Sequence, residues 1–331
     1  MAAWRSSTKK SVRALPAPVF FPSLRAKKRG QSPAVFYQKY LTATVGWMAE
    51  GICSTLDSFI CFMSVDFVDG HPVVRLRAFR AIDDPSTCER FIEGHAHVLT
   101  AIGVKKVTSS KNDWMYNPAV FVLIVESLDG RRVFGGVRIH VAGGSEPLPI
   151  EQATGHMDPA MYDLVYQYAQ SGTGEGCGLW NSREIAGYGI GSIFLTRAGA
   201  AISTQVGISS LFALCAPYTV KLAESVGYRI ETSVGNEGTF YYPKLDLVAT
   251  TMIMKNLDTL TEADEENKQA IRALRNNSTA KRIETLRNKQ IEIHYQIDIP
   301  HLDRWSLSDT IANLKAPGSN AVGDENDPNI L

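Results

Sequence analysis

One stretch limits this chain more than any other. Glu184 to Leu195 reads EIAGYGIGSIFL, with three glycines in five positions and aliphatic residues directly after them. It follows a short strand-like run, CGLWN (Cys177–Asn181), and precedes a segment with helical period that runs from about Ser192 to Val206. A glycine turn between a strand and a helix lets backbone come close to a ligand. The helix N-terminus adds unpaired N–H groups and a partial positive charge, so phosphate is the natural guest.

Two common phosphate motifs fail. The dinucleotide pattern G-x-G-x-x-G needs a third glycine where Ser192 or Phe194 stands. The P-loop needs a Lys before a Ser or Thr, and none follows.

The surrounding order is also not that of a doubly wound sheet. VVRLRAFRAI (Val73–Ile82) alternates as a strand. Asp84 and Pro85 then start a helix with Cys88, Phe91, Ile92, His95, Leu99 and Ile102 on one face, ending at Gly103. PAVFVLIVES and RRVFGGVRIHVA form a hairpin around Asp129-Gly130. A helix capped at Asp158 carries the stripe Met161, Leu164, Val165 and Tyr168. After the glycine turn come a helix, the strand SSLFALCA, a helix opened by Pro217, and closing strands to Asn256. The sum is mixed α/β with a mainly antiparallel sheet.

This strand–glycine turn–helix arrangement resembles the pyrophosphate loop of the GNAT acyl-CoA N-acyltransferase superfamily. The family pattern is Arg/Gln-x-x-Gly-x-Gly/Ala. It falls on Ala186-Gly187-Tyr188-Gly189-Ile190-Gly191, with Ala186 in place of the basic or amide residue and Arg183 near enough to offer a charge. SSLFALCAPYTVKLAESVGYRIE resembles the family's next strand and helix, and VFGGVRIHV its strand with a small-residue pair. The resemblance spans about residues 72–257. It implies a GNAT-like mixed α/β fold, mainly antiparallel, flanked by helices and by helical N- and C-terminal extensions.

It also implies chemistry. An acyl group passes directly from acetyl-CoA or another acyl-CoA to an amine on a small molecule or a protein. Gly187, Tyr188, Gly189, Ile190, Gly191 and Ser192 hold the pyrophosphate by backbone N–H groups, with Arg183 beside them. Leu179 and Asn181 belong to a splayed strand that pairs with the pantetheine arm and supplies an oxyanion donor. A bulky residue at Gly189 or Gly191 is expected to abolish CoA binding and spare the fold.

Glu175 is the first candidate general base, if a partly desolvated cleft raises its pKa; otherwise it is a solvated turn residue. Glu184 is the alternative. The family's helix tyrosine and asparagine fall on Ala223 and Ala216, which leaves Tyr218, one turn away, as the proton donor. Cys177 reads as core rather than nucleophile, and His95 as a core histidine. His140 alternates with Val137, Ile139 and Val141 and is expected to face solvent. Tyr162 and Tyr166 lie off their helix stripe, where they can line the acceptor cleft. Two further readings stay open: an acyl-homoserine-lactone-synthase-like enzyme using a longer chain or an acyl carrier protein, and a non-catalytic module.

Composition bounds the rest. The 331 residues carry 34 basic and 34 acidic side chains, so no net field attracts nucleic acid. No apolar run approaches the ~20 residues of a membrane span. Five cysteines without C-x-x-C spacing suit a reducing, cytoplasmic setting and no metal site. The expected regions are a basic arm (1–34), an extension with helical character from Phe36 to Leu56 (35–71), the acyltransferase domain (72–257), a C-terminal segment (258–315) and a disordered tail (316–331). In the C-terminal segment Thr261 and Asp264 are expected to cap a helix with Leu260, Ala263, Ile271 and Leu274 inward. Ser278 or Thr279 restarts a helix with Ile283 and Leu286 inward, and IEIHYQIDI alternates as a strand. That segment packs in cis or joins two copies as a homodimer.

Overall fold

The computed structural model describes residues 65–101, 103–104 and 112–317. The basic arm, the Phe36–Leu56 segment and nearly all of the tail lie outside the described residues.

The chain enters through β1 (Phe67–Val68), β2 (His71–Arg80) and α1 (Pro85–Ala101). The hairpin of β3 (Val120–Glu126) and β4 (Val133–Val141) follows, then α2 (Pro149–Thr154) and α3 (Ala160–Ala169). β5 (Thr173–Asn181) leads through the glycine turn to α4 (Leu195–Val206), β6 (Ser210–Cys215) and α5 (Val220–Val226). Three strands come next, β7 (Arg229–Ile230), β8 (Thr239–Tyr241) and β9 (Val248–Met254). α6 (Glu265–Asn276), β10 (Thr279–Leu286), β11 (Lys289–Gln296) and α7 (Leu307–Ala312) complete the described chain.

Among the described residues eleven strands make one sheet, in the order β10-β11-β2-β3-β4-β5-β6-β9-β7, with β1 on β2 and β8 on β9. Only β11–β2 and β5–β6 pair in parallel. Parallel neighbours need a crossover, which α4 provides for β5 and β6. α4 packs on β3 and β4 and against α6; α1 lies on β4 and β5. Both sheet faces are therefore covered, which explains why β3 is buried at every position.

Local signals act where expected at α1: the Thr87 N–H donates to Asp84 Oδ1 at 3.1 Å. At α6 the cap is Asp264 itself, accepting from the Asn267 N–H at 2.8 Å. Thr261 takes no part in it, because the cap-to-third-residue spacing runs from Asp264 to Asn267. Leu260 and Ala263 are buried but precede the helix.

The expected second helix after Ser278 is instead β10. It pairs with β11 in unbroken register from Thr279↔Gln296 to Leu286↔Lys289. Ile283 points outward, 58% exposed. Pairing with an alternating neighbour overrode weak helical period, and Thr279, Ile283 and Thr285 suit a strand. β11 is thus paired on both sides in cis, and β10 forms the sheet edge.

Glu126, fully buried in β3, ties the sheet to its end. It accepts from Arg75 Nε at 2.9 Å and Arg77 Nε at 2.7 Å. Glu126→Ala is expected to cost about 3 kcal/mol in urea unfolding, because Arg75 loses its acid and Arg77 keeps only Asp84.

Candidate active site: the cleft between β5 and β6

β5 and β6 pair only from Thr173↔Ser210 to Glu175↔Phe212. Beyond Glu175 they separate, and β6 continues on β9 alone as far as Cys215↔Thr250. The β4 side of β5 is irregular at the same place. Gly136 faces Trp180 while Arg138 faces Cys177, so Gly178 and Leu179 together oppose Val137. Gly178 takes φ +61°, the conformation such a bulge asks of one residue. The bulge bends β5 away from β6 and leaves Leu179 half-exposed.

The gap holds a cavity of about 340 Å³. β5 contributes Glu175 to Leu179, and the glycine turn and α4 contribute Gly191, Leu195, Thr196 and Gly199. Tyr218, Thr219, Leu222 and Tyr228 form the opposite wall, and Val137 and Ile139 of β4 the apolar floor. A mixed sheet opened between one parallel pair, with a glycine turn and helix at the opening, decides the architecture. This is the arrangement that the GNAT resemblance implies: a mixed, mainly antiparallel sheet flanked by helices.

No family model matches the chain, and no curated protein matches it. Solved structures do. One is a CoA-dependent acyl-homoserine lactone synthase, BjaI, with SAM and isopentyl-CoA, at TM-score 0.44 and 12% identity, covering 72% of this chain and 97% of that one. Another is FeeM, an N-acyl amino acid synthase from uncultured soil microbes, at TM-score 0.42 and 13% identity, covering 58% and 95%. A third is an acyl-CoA N-acyltransferase from Pseudomonas aeruginosa, at TM-score 0.38 and 12% identity, covering 54% and 98%.

In this cleft Glu175 is no solvated turn residue. It is 2% exposed, lines the cavity and accepts the Ile150 N–H at 2.6 Å. Burial pushes its carboxyl up to about 8, helped by neighbouring Glu151 and opposed by the Ile150 N–H and Arg138. The strand expected over Cys177–Asn181 in fact begins at Thr173, so Glu175 sits in the paired part of the sheet, at its last rung with β6. Tyr218 is 85% exposed at the cavity rim.

The glycine turn divides into two parts. Gly191 lines the cavity. Gly187, Tyr188 and Gly189 lie beyond it, and Ile190 is buried in the core. Two expected phosphate donors are engaged locally: the Tyr188 N–H donates to the Ile185 carbonyl and the Ser192 N–H to the Gly189 carbonyl, both at 3.3 Å. Arg183 is exposed. The cation that meets the turn is Lys289, whose Nζ lies 3.4 Å from the Ala186 carbonyl and 4.6 Å from the Tyr188 ring centre. Sequence order hid it, since Lys289 arrives on the β10–β11 hairpin. Asn181 faces Gly191, and its amide donates to the Ser182 carbonyl at 2.7 Å.

Glu184 pairs with Arg132 at 2.7 Å on the surface, away from the cavity lining. Cys177 is buried, and burial pushes its thiol up to about 12, which leaves no thiolate for nucleophilic attack. His95 lines the cavity but burial, then Arg138, lower it to about 4, so it is neutral at pH 7. His140 does not face solvent. It is 7% exposed and held well below its ordinary value by burial and Arg138. Alternation along β4 put it on the second face, but that face is also covered. Tyr162 is half-exposed and packs against Gly155, and neither it nor Tyr166 lines the cavity.

Three residues near the cleft gave little sign in the sequence. Arg138 is fully buried, stacked 4.2 Å from Trp114 and 5.5 Å from Phe91. A lone arginine between Val137 and Ile139 was its only signal. Glu151 accepts the Leu148 N–H at 2.7 Å and is pushed up to about 7, mainly by burial. Tyr228 lines the cavity and is 4% exposed.

Proposed function

We propose that the cleft binds an acyl-CoA-type thioester and transfers its acyl group to an amine. The observation that carries this reading is Glu175: a buried carboxyl, raised to about 8, on the cavity wall where β5 loses its partner strand. A base poised near neutral pH can take a proton from an ammonium-derived amine as it attacks. The open edge of β5 from Gly176 to Leu179 accepts an extended pantetheine-like arm as an added strand, and its N–H groups stabilise the developing oxyanion. Gly191 and the start of α4 hold the pyrophosphate, with Lys289 as the turn's cation. The acceptor is an amine-bearing small molecule or protein. The test is a screen of acyl-CoA donors against pooled amines, read by free thiol release. Calorimetry with acetyl-CoA and CoA accompanies it, and absence of binding by either defeats the reading.

A donor longer than acetyl, from CoA or a carrier protein, is the second reading. It is favoured by the apolar floor of Val137 and Ile139 under Gly199. A Cβ at Gly199 would meet only Leu123 and Ile139, at 3.8 and 3.9 Å, so neither conformation nor packing requires glycine there. Glycine inside a helix costs about 1 kcal/mol against alanine, which points to space kept for a ligand. Gly199→Leu is expected to lower kcat/KM for a hexanoyl donor about tenfold while sparing acetyl-CoA. Equal effects on both donors would remove the longer-chain reading.

A further inference from the structure

Acyl transfer from a thioester releases a thiolate that needs a proton, and the position where the resemblance implies a donor is Ala223. Tyr218, the substitute suggested by the sequence, is 85% exposed. A second tyrosine lies inside the cleft. Tyr228 follows Gly227 at the end of α5, lines the cavity and is 4% exposed. Its hydroxyl lies 3.7 Å from where a Cβ on Gly176 would stand. It therefore addresses the unpaired edge of β5, one residue after Glu175.

Gly176 sharpens the point. Its φ is not positive, and nothing lies closer than 3.7 Å to its absent Cβ. Neither backbone nor packing demands glycine, and its bare surface leaves the Tyr228 oxygen open to whatever lies along β5.

We propose that Tyr228, rather than Tyr218, donates the proton to the departing thiolate; this rests on the acyl-transfer reading above. The amine nitrogen bonds to the acyl carbon, and the carbon–sulfur bond breaks. The amine proton passes to the Glu175 carboxylate, and the Tyr228 O–H proton passes to sulfur to give free thiol. The tyrosine oxygen recovers its proton from Glu175 directly or through water, which restores both groups. Burial, with Cys215 and Glu175 nearby, raises the tyrosine above its ordinary value, which disfavours a free phenolate, so the proton passes to sulfur as Glu175 returns one to the oxygen.

The test compares two donors of one acyl group, the CoA thioester and an aryl thioester whose thiolate leaves without a proton. Tyr228→Phe is expected to lower kcat about 100-fold with the CoA thioester and only a few-fold with the aryl thioester, with KM and thermal midpoint little changed. A purely structural role would depress both donors alike, and that result overturns the proposal. So does a donor-selective loss in Tyr218→Phe in place of Tyr228→Phe. Wild-type protein that turns over no thioester defeats the transfer reading and this assignment together. Turnover that survives Tyr228→Phe unchanged defeats the assignment alone.

Discussion

Glu175→Gln is expected to lower turnover by about 10²–10⁴-fold while acyl-CoA still binds. The amide keeps the size of the side chain and an acceptor for the Ile150 N–H, but it cannot take a proton. Calorimetry checks the binding and thiol release the turnover. If turnover persists in this variant, another group is the base. The wild-type pH profile carries the same signature. A base works deprotonated, so activity rises with pH through about 8, where burial holds the Glu175 carboxyl, and levels above it.

Stability moves the other way. The folded-state value lies above the ordinary 4.5, so the folded protein binds a proton that the unfolded chain has lost. The contribution is full below about 4.5 and falls as pH rises towards 8. Glu151, pushed up to about 7, adds to the same slope. The difference between wild type and Glu175→Gln isolates the Glu175 part, and the variant should show the flatter profile in urea unfolding between those pH values.

Gly191→Leu is expected to weaken CoA binding by about 10–100-fold, the equivalent of 1–3 kcal/mol of overpacking. Gly191 has φ −77°, which any residue adopts, and it lines the cavity. A Cβ there meets the Asn181 side-chain oxygen and carbon, so the new side chain must displace Asn181 or fill the cleft. Calorimetry measures the binding and a thermal melt the fold. Affinity unchanged from wild type would remove the turn from the binding site.

Gly189 is a different case, and the expectation that both glycines could be replaced with the fold intact does not hold. Gly189 has φ +89°, and a Cβ would stand 2.6 Å from the Phe194 ring. Substitution there strains the backbone and drives into the core, so lost binding would report lost structure. The two glycines look alike in the sequence. One is required by the turn's own geometry, the other by the space in front of it.

Local and periodic features were legible in the chain. The strand period of Val73–Ile82, the Asp84 cap, the Asp129-Gly130 hairpin and the glycine turn each depend on neighbours a few residues away. Glu175 was legible as a candidate because a carboxyl stood beside a strand that the resemblance marked. Features that depend on distant partners were not. β10 is a strand only because β11 pairs with it, and β11 is interior only because β2 lies on its other side. His140 is dry because helices cover both faces of the sheet. Lys289 reaches the glycine turn from 102 positions beyond Gly187, Tyr228 reaches the cleft from 40 positions beyond Tyr188, and no periodicity records such an approach.

Backbone preference and short-range pattern were enough for most of the local elements, the turn chemistry and the residue types near the cleft. Only packing fixed where β5 and β6 part, which carboxyl is desolvated there, which tyrosine lines the opening and which lysine meets the glycine turn. Burial and electrostatic environment are properties of the packed sheet, and they exist only once strands far apart in the chain lie side by side.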